Sequence, residues 1–183
     1  MKKQQHQTQF KMVVFLSALV MMAALFYSAA SVYADRIALP HERGIPPVLS
    51  PLLIKNARTG NVAEFQVELA LDQETQRTGL MYRTEMPEKQ GMLFLFQKDR
   101  TLTMWMKNTL IPLDMIFINA EGVVIDVHEN AVPRSLEIVG AKIPGRGVLE
   151  LNAGMIKKFN IAIGDQLHHG LFGNLPHEEV AQP

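Results

Sequence analysis

The sequence predicts a mainly β domain, an antiparallel sandwich or barrel with two short inserted helices, and three observations lead there. Phe65, Val67, Leu69 and Leu71 alternate with Glu64, Gln66 and Glu68, the period of a half-buried strand. The unbroken apolar runs Met92-Leu93-Phe94-Leu95-Phe96 and Met115-Ile116-Phe117-Ile118 have strand length, too short for a buried helix. Turn residues recur at the roughly ten-residue spacing of antiparallel β-domains, and helix signals are confined to two brief segments.

Before this domain, the N-terminus has the parts of a secretory signal. Lys2, Lys3 and Lys11 precede residues 12–34, which carry no charge and end in the small-residue site Val32-Tyr33-Ala34. The expected outcome is export with cleavage after Ala34. The alternative is an uncleaved inner-membrane anchor, because the uncharged stretch is close to the roughly 20 residues needed to span a bilayer. Either places the remaining chain on the non-cytoplasmic side, and residues 12–34 are the candidate membrane tether. Residues 35–51 hold Pro40, Pro46, Pro47, Pro51 and Gly44 and read as an extended linker.

The domain itself is expected over residues 52–167. Residues 52–71 form a hairpin with a turn over Ala57 to Asn61, where Gly60 can take positive φ. Asp72 stands at an N-cap, Glu74 lies in the first turn, and Gly79 can end the helix in the left-handed region, so a helix is predicted over 73–79. Pro87 stops any continuation. In residues 102–106, Leu102, Met104 and Met106 share one face and Thr101, Thr103 and Trp105 the other.

Asn119-Ala120-Glu121-Gly122 turns the chain into a second hairpin, with Val123, Ile125 and Val127 on its apolar face and Asp126 with His128 opposite. Pro133, Pro144 and Gly145 mark a long connection to a strand over 147–151. Asn152 is the expected cap of a helix over 153–159, with Met155, Ile156 and Phe159 as its apolar contacts. A last strand follows near 161–167, and residues 168–183 are expected to form a flexible tail.

Composition narrows the function classes. Lys+Arg and Asp+Glu balance at 18 each, and loss of residues 1–34 removes three lysines and no acid, leaving a formal charge of −3. Lys and Arg are scattered among acids, which does not read as a nucleic-acid surface. There is no cysteine, hence no disulfide, thiolate chemistry or acylated cysteine anchor. Export without disulfides fits a bacterial periplasm. The sequence offers no Gly-x-Ser-x-Gly elbow, phosphate loop or dinucleotide fingerprint. No cofactor is expected.

Arg77, Gly79-Leu80-Met81, Arg83, Gly91-Met92-Leu93-Phe94, Trp105-Met106-Lys107-Asn108-Thr109, Pro112-Leu113-Asp114, Val148-Leu149-Glu150-Leu151, Gly154 and Gly164-Asp165 form an ordered set of motifs. Through them, residues 64–167 resemble the domain-of-unknown-function 192 family. The resemblance implies a jelly-roll-like β domain, often exported or membrane-anchored, and transfers no activity.

The candidate ligand-binding residues are Arg83, Trp105, Lys107, Asn108, Thr109, Asp114 and Glu150. An indole supplies a stacking face, while a cation, an amide, a hydroxyl and carboxylates can fix polar groups, a mixture that suits a small polar molecule or a glycan. Against this stands a scaffold role, with Asn108 and Thr109 serving their own turn, Trp105 in the core, and Arg83 pairing internally with Asp114 or Glu150. Asp114 and Glu150 together define a second expectation, a carboxylate pair acting on envelope carbohydrate. A third is a periplasmic interaction or assembly module. No metal site is expected: His128 lacks a neighbouring histidine, and Met81, Met92, Met104 and Met106 suit core packing better than copper.

Overall fold

The computed structural model describes residues 47–175. The expected signal or anchor, residues 35–46 of the linker and residues 176–183 of the tail lie outside them. The elements in chain order are β1 (Ser50–Lys55), β2 (Val62–Ala70), α1 (Gln73–Thr78), β3 (Gln90–Arg100), β4 (Thr103–Met104), β5 (Leu113–Ile118), β6 (Val124–Ala131), β7 (Val139–Gly140), β8 (Gly145–Asn152), α2 (Met155–Phe159) and β9 (Gln166–His168), followed by a 3-10 turn (Gly170–Phe172). Seven strands form one sheet in the order β6-β5-β8-β3-β2-β1-β9, and β4 pairs with β7 in a two-stranded ribbon.

The large sheet curls until its two edges meet at one end. Val123 bridges Gln166, the Val124 amide donates to the Asp165 carbonyl at 2.8 Å, and the Leu167 amide donates to the Gly122 carbonyl at 2.8 Å. Of the two expected architectures the molecule realises the barrel-like one, as a half-barrel. All neighbours in this sheet run antiparallel except β2 and β3, which are parallel and joined by the crossover that contains α1.

Every strand of the curl sends side chains to an inner core, including Leu52, Phe65, Val67, Leu93, Ile116, Leu149 and Leu167. Helix α2 closes it, with Met155 and Ile156 buried and Phe159 edge-on to Phe65 at 5.3 Å between ring centroids. The outer faces of the central strands carry a second core of Met92, Phe94, Leu113, Met115, Phe117 and Val148, covered by Leu80, Met86, Leu102, Met106 and Ile111 from the connecting segments. Strand β5 is therefore buried at all six positions, which is why Met115 to Ile118 show no alternation.

Gly91 marks how tightly the curl is drawn. A Cβ there would collide with the Glu150 carbonyl oxygen and lie 2.7 Å from Leu151 Cδ2, so only glycine fits at this crossing of β3 and β8.

Local chemistry explains where sequence expectations held and where they shifted. Asp72 does cap α1, accepting from the Glu74 and Thr75 amides at 2.9 Å each. Gly79 ends that helix at φ 48, ψ −134, a glycine-favoured conformation other than the left-handed one anticipated. Asn152 does not cap α2. Its amide donates to the Met86 and Pro87 carbonyls, and Gly154 occupies the N-cap at φ 90 without a side-chain bond.

In β6 a register shift between Phe117 and Ile118 breaks the expected alternation. Val124 and Val127 pack inward, Ile125 packs on the outer core, and Asp126 is buried, accepting from the Lys142 amide at 3.2 Å. Part of the expected tail is structured: His168 ends β9, and buried His169 lies 2.8 Å from Ser50 Oγ. Ser50 and Pro51, assigned to the linker by sequence, begin β1. Among the described residues no helix is long and apolar enough to cross a membrane.

Candidate functional site

Two loops with strained backbones meet on the outer face of the curl. Tyr82 and Asn108 both hold positive φ, 64 and 60, a conformation costly for a side chain as large as tyrosine. Their interlock supports it. The Tyr82 amide donates to the Asn108 carbonyl at 2.8 Å, and Asn108 Nδ2 donates to Tyr82 Oη at 2.8 Å. The second loop is also tied to the long β6–β7 connection, through Met106 N to the Ser135 carbonyl at 3.1 Å and Arg134 N to the Thr109 carbonyl at 3.0 Å.

These bonds position an open cleft of about 330 Å³. One wall is α1 with Gly79 and Met81, the back is the end of β3 with Phe94, Phe96 and Arg100, and the other wall runs from Leu102 to Trp105 with Thr109. Trp105 is 47 % exposed beside buried Met106, as the alternation of residues 102–106 requires. Lys107 Nζ stands 5.1 Å from the centre of the Trp105 ring.

Glu150 closes the cleft and is only 4 % exposed. Its register partners are Met92 on β3 and Met115 on β5, so its carboxyl lies in apolar surroundings. Burial pushes its pKa from the ordinary 4.5 up to about 8, with no hydrogen bond or charge among the described residues to offset it. Such a group is a neutral carboxylic acid at neutral pH, able both to donate and to accept a hydrogen bond.

The seven residues singled out by sequence do not converge on one place. Trp105, Thr109 and Glu150 line the cleft, and Lys107 sits against the indole. Asn108 braces Tyr82 and contacts Met81 Sδ at 3.9 Å, so it shapes the rim.

Arg83 pairs with neither Asp114 nor Glu150. It forms a two-pronged, largely buried bridge with Glu68, Nη2 to Oε2 at 2.6 Å and Nη1 to Oε1. Its Nε is buried without a partner among the described residues.

Asp114 points into the inner core, fully buried, and accepts from the Asn130 amide at 3.0 Å and the Ile156 amide at 2.8 Å. It thus caps α2 from a neighbouring strand, the service expected of Asn152. Because Asp114 pairs with Leu151 while Met115 pairs with Glu150, the two carboxyls project from opposite faces of the sheet. The carboxylate pair expected for glycoside chemistry does not form.

Sequence reasoning missed Arg77 and Arg100 as cleft residues. Arg77 was visible as a motif residue in the last turn of a capped helix, whereas Arg100 ends the polar run Gln97-Lys98-Asp99-Arg100, which reads as a solvated strand end.

The four methionines divide: Met81 and Met104 reach the cleft, while Met92 and Met106 are buried in the outer core. Among the described residues no three His, Asp or Glu side chains gather as a metal cluster. A second hollow between Asn56 and Asp165 is architectural, since Asp165 accepts from Ala57 N, Ala162 N and Asn56 Nδ2 at 2.9, 2.9 and 3.3 Å.

Half-barrel and cleft define a β-rich domain with a small recess built on its outer face. The chain belongs to the DUF192 family, described as uncharacterized ACR, whose match covers residues 54–169. The comparison with curated proteins returned no match. A crystal structure from Sinorhizobium meliloti 1021, provisionally described as a transcription regulator, is 42 % identical with a TM-score of 0.66, over 68 % of this chain and 96 % of that one. A protein of unknown function from Novosphingobium aromaticivorans DSM 12444 is 36 % identical with a TM-score of 0.63, over 66 % of this chain and 84 % of that one.

Proposed function

We propose that this chain is an exported binding domain of the cell envelope that takes a small polar organic ligand, a sugar being the best fit, in the cleft closed by Glu150. One observation carries the reading: a buried carboxyl without a partner among the described residues faces a recess walled by a half-exposed indole. The carboxyl lies among apolar side chains yet opens on the cleft, where a ligand hydroxyl can meet it as donor and acceptor. The indole gives the apolar face of a sugar ring a surface, and Thr109 adds a hydroxyl at the wall. The volume is near the lower end of the roughly 300–1,000 Å³ of ligand pockets, which suits a monosaccharide-sized guest. The candidate signal or anchor over residues 12–34 supports placement in the periplasm, free or tethered to the inner membrane.

Trp105 is the only tryptophan of the chain, so its emission reports the cleft directly. Titration with D-glucose, N-acetylglucosamine and D-glucuronate is expected to give a saturable change in emission together with a raised melting temperature. Flat emission and flat melting curves across all three would defeat the proposal.

The interaction-module reading keeps one observation in its favour: Val132, Leu136, Ile138 and Ile143 are each more than half exposed along the connection from β6 to β8. If it holds, a partner captured from envelope extract by the intact chain is lost when Leu136 and Ile138 are both replaced by serine. Capture undiminished by that change counts against it.

A further inference from the structure

The charged groups lining the cleft are Arg77, Arg100 and Glu150, and they differ in burial, Glu150 being enclosed and the arginines open to solvent. Both arginines are exposed, one in the last turn of α1 and the other at the end of β3. Neither forms an ion pair among the described residues. Arg100 rests instead on the Phe96 ring, its guanidinium carbon 4.9 Å from the centroid, and both residues line the cleft.

The helix that carries Arg77 is fastened by its neighbour. Gln76 Nε2 donates to the Ala70 carbonyl at 3.1 Å and to the Leu95 carbonyl at 2.9 Å, which ties α1 to the end of β2 and the middle of β3. Arg77 is therefore presented from a fixed support beside a partly apolar recess. Two guanidiniums with no acid paired to them among the described residues, both exposed beside such a recess, favour an anion there, since Arg suits carboxylate and phosphate and low-dielectric walls focus the field.

Glu150 sets the opposite demand at depth. A ligand acid beside it would crowd two carboxyl groups among Met92, Met115 and Phe94, whereas a hydroxyl there would meet a group that can donate and accept. Resting on the reading under Proposed function, we propose that the ligand is an anionic sugar, held with its acidic group outward at Arg77 and Arg100 and its hydroxyl-bearing end inward at Glu150. Phe96, Leu102 and Trp105 then line its ring.

The test compares D-glucose, D-glucosamine, D-glucuronate and D-glucose 6-phosphate on the full-length chain, read by Trp105 emission and by calorimetry. At least one of the two anions is expected to bind tenfold or more tightly than glucose, and glucosamine more weakly than glucose. The stronger of the two anions tells carboxylate from phosphate. In the double variant Arg77→Gln, Arg100→Gln the anion's advantage over glucose is expected to fall below threefold. Both side chains are exposed, so an unaltered melting temperature confirms that the variant is folded. Glu150→Gln, which keeps a donor and an acceptor, is expected to leave the anion's advantage intact.

Equal binding of glucose and both anions, or an advantage that survives the double variant, overturns the anionic assignment while leaving a polar-ligand cleft standing. Absence of binding by all four compounds overturns the anionic assignment, and together with flat N-acetylglucosamine curves it overturns the polar-ligand cleft as well.

Discussion

At the scale of single residues, two buried titratable groups pull stability in opposite directions. Glu150, raised to about 8 by burial, prefers its neutral form in the folded chain. Its contribution is fully present below the ordinary carboxylate value of 4.5 and is lost as pH rises through about 8, because the unfolded chain has then released a proton that the folded chain still holds. A loss on the order of a few kcal/mol follows. Buried His169 works the other way. The Leu171 amide donates to its Nδ1 at 3.1 Å, so Nε2 carries the proton that it donates to Ser50 Oγ, and burial lowers its pKa. That contribution is present above the unfolded value near 6.5 and is lost as pH falls through the depressed folded value. The expected outcome is a denaturation midpoint that declines from pH 5 to pH 9, and a Glu150→Gln variant in which this decline is absent and stability at pH 9 exceeds that of the parent. Parallel pH profiles for the two chains would show that Glu150 titrates normally.

At the scale of elements, the loop that presents Trp105 is held by an exchange of two hydrogen bonds between Tyr82 and Asn108, each in a left-handed backbone. Asn108→Ala removes the bond to the Tyr82 hydroxyl and places a residue less tolerant of positive φ there, for a combined cost of about 1–2 kcal/mol. Asn108→Gly relieves the backbone part and should cost less. Tyr82→Phe alone removes the acceptor, and chemical denaturation of the double variant Tyr82→Phe, Asn108→Ala should show less than the sum of the single losses. Additive losses would mean that the two side chains do not act on each other.

Much of this scale was legible in the sequence. The β1–β2 hairpin, the cap at Asp72 and the outward Trp105 with inward Met106 follow from local periodicity and capping chemistry. What was hidden depends on partners distant in sequence. Asp114 caps a helix some forty residues away, Glu68 takes Arg83 across the parallel β2–β3 crossover, and the bulge in β6 reverses faces that alternation alone would assign. The site shared that fate: its indole and hydroxyl were visible in one motif, whereas Arg77, Arg100 and Glu150 come together only when α1, β3 and β8 pack.

At the scale of the whole molecule, stability depends on how the curl is closed. Strands β6 and β9 lie at opposite ends of the strand order, yet Leu167 touches both sides of the seam: it pairs with Ile54 of β1, donates its amide to the Gly122 carbonyl and is fully buried in the inner core. Shortening it to alanine removes buried apolar volume where β1, β9 and the β5–β6 turn meet, and large-to-small changes at such sites cost about 2–5 kcal/mol. Gly122 attacks the same seam from the other side. Its φ is 81, and a Cβ there would lie 2.7 Å from the Leu167 carbonyl oxygen, so Gly122→Ala combines backbone strain with a collision against main chain that has little room to move. Ile163→Ala, a few residues away but 61 % exposed, is the control and should change stability by no more than about 0.5 kcal/mol. If closure is what makes the half-barrel cooperative, Leu167→Ala and Gly122→Ala lower the midpoint of one shared unfolding transition, seen alike by far-UV circular dichroism and by Trp105 emission on the far side of the sheet. A variant in which the circular dichroism shifts while the Trp105 transition stays in place would show that the outer layer holds without the seam.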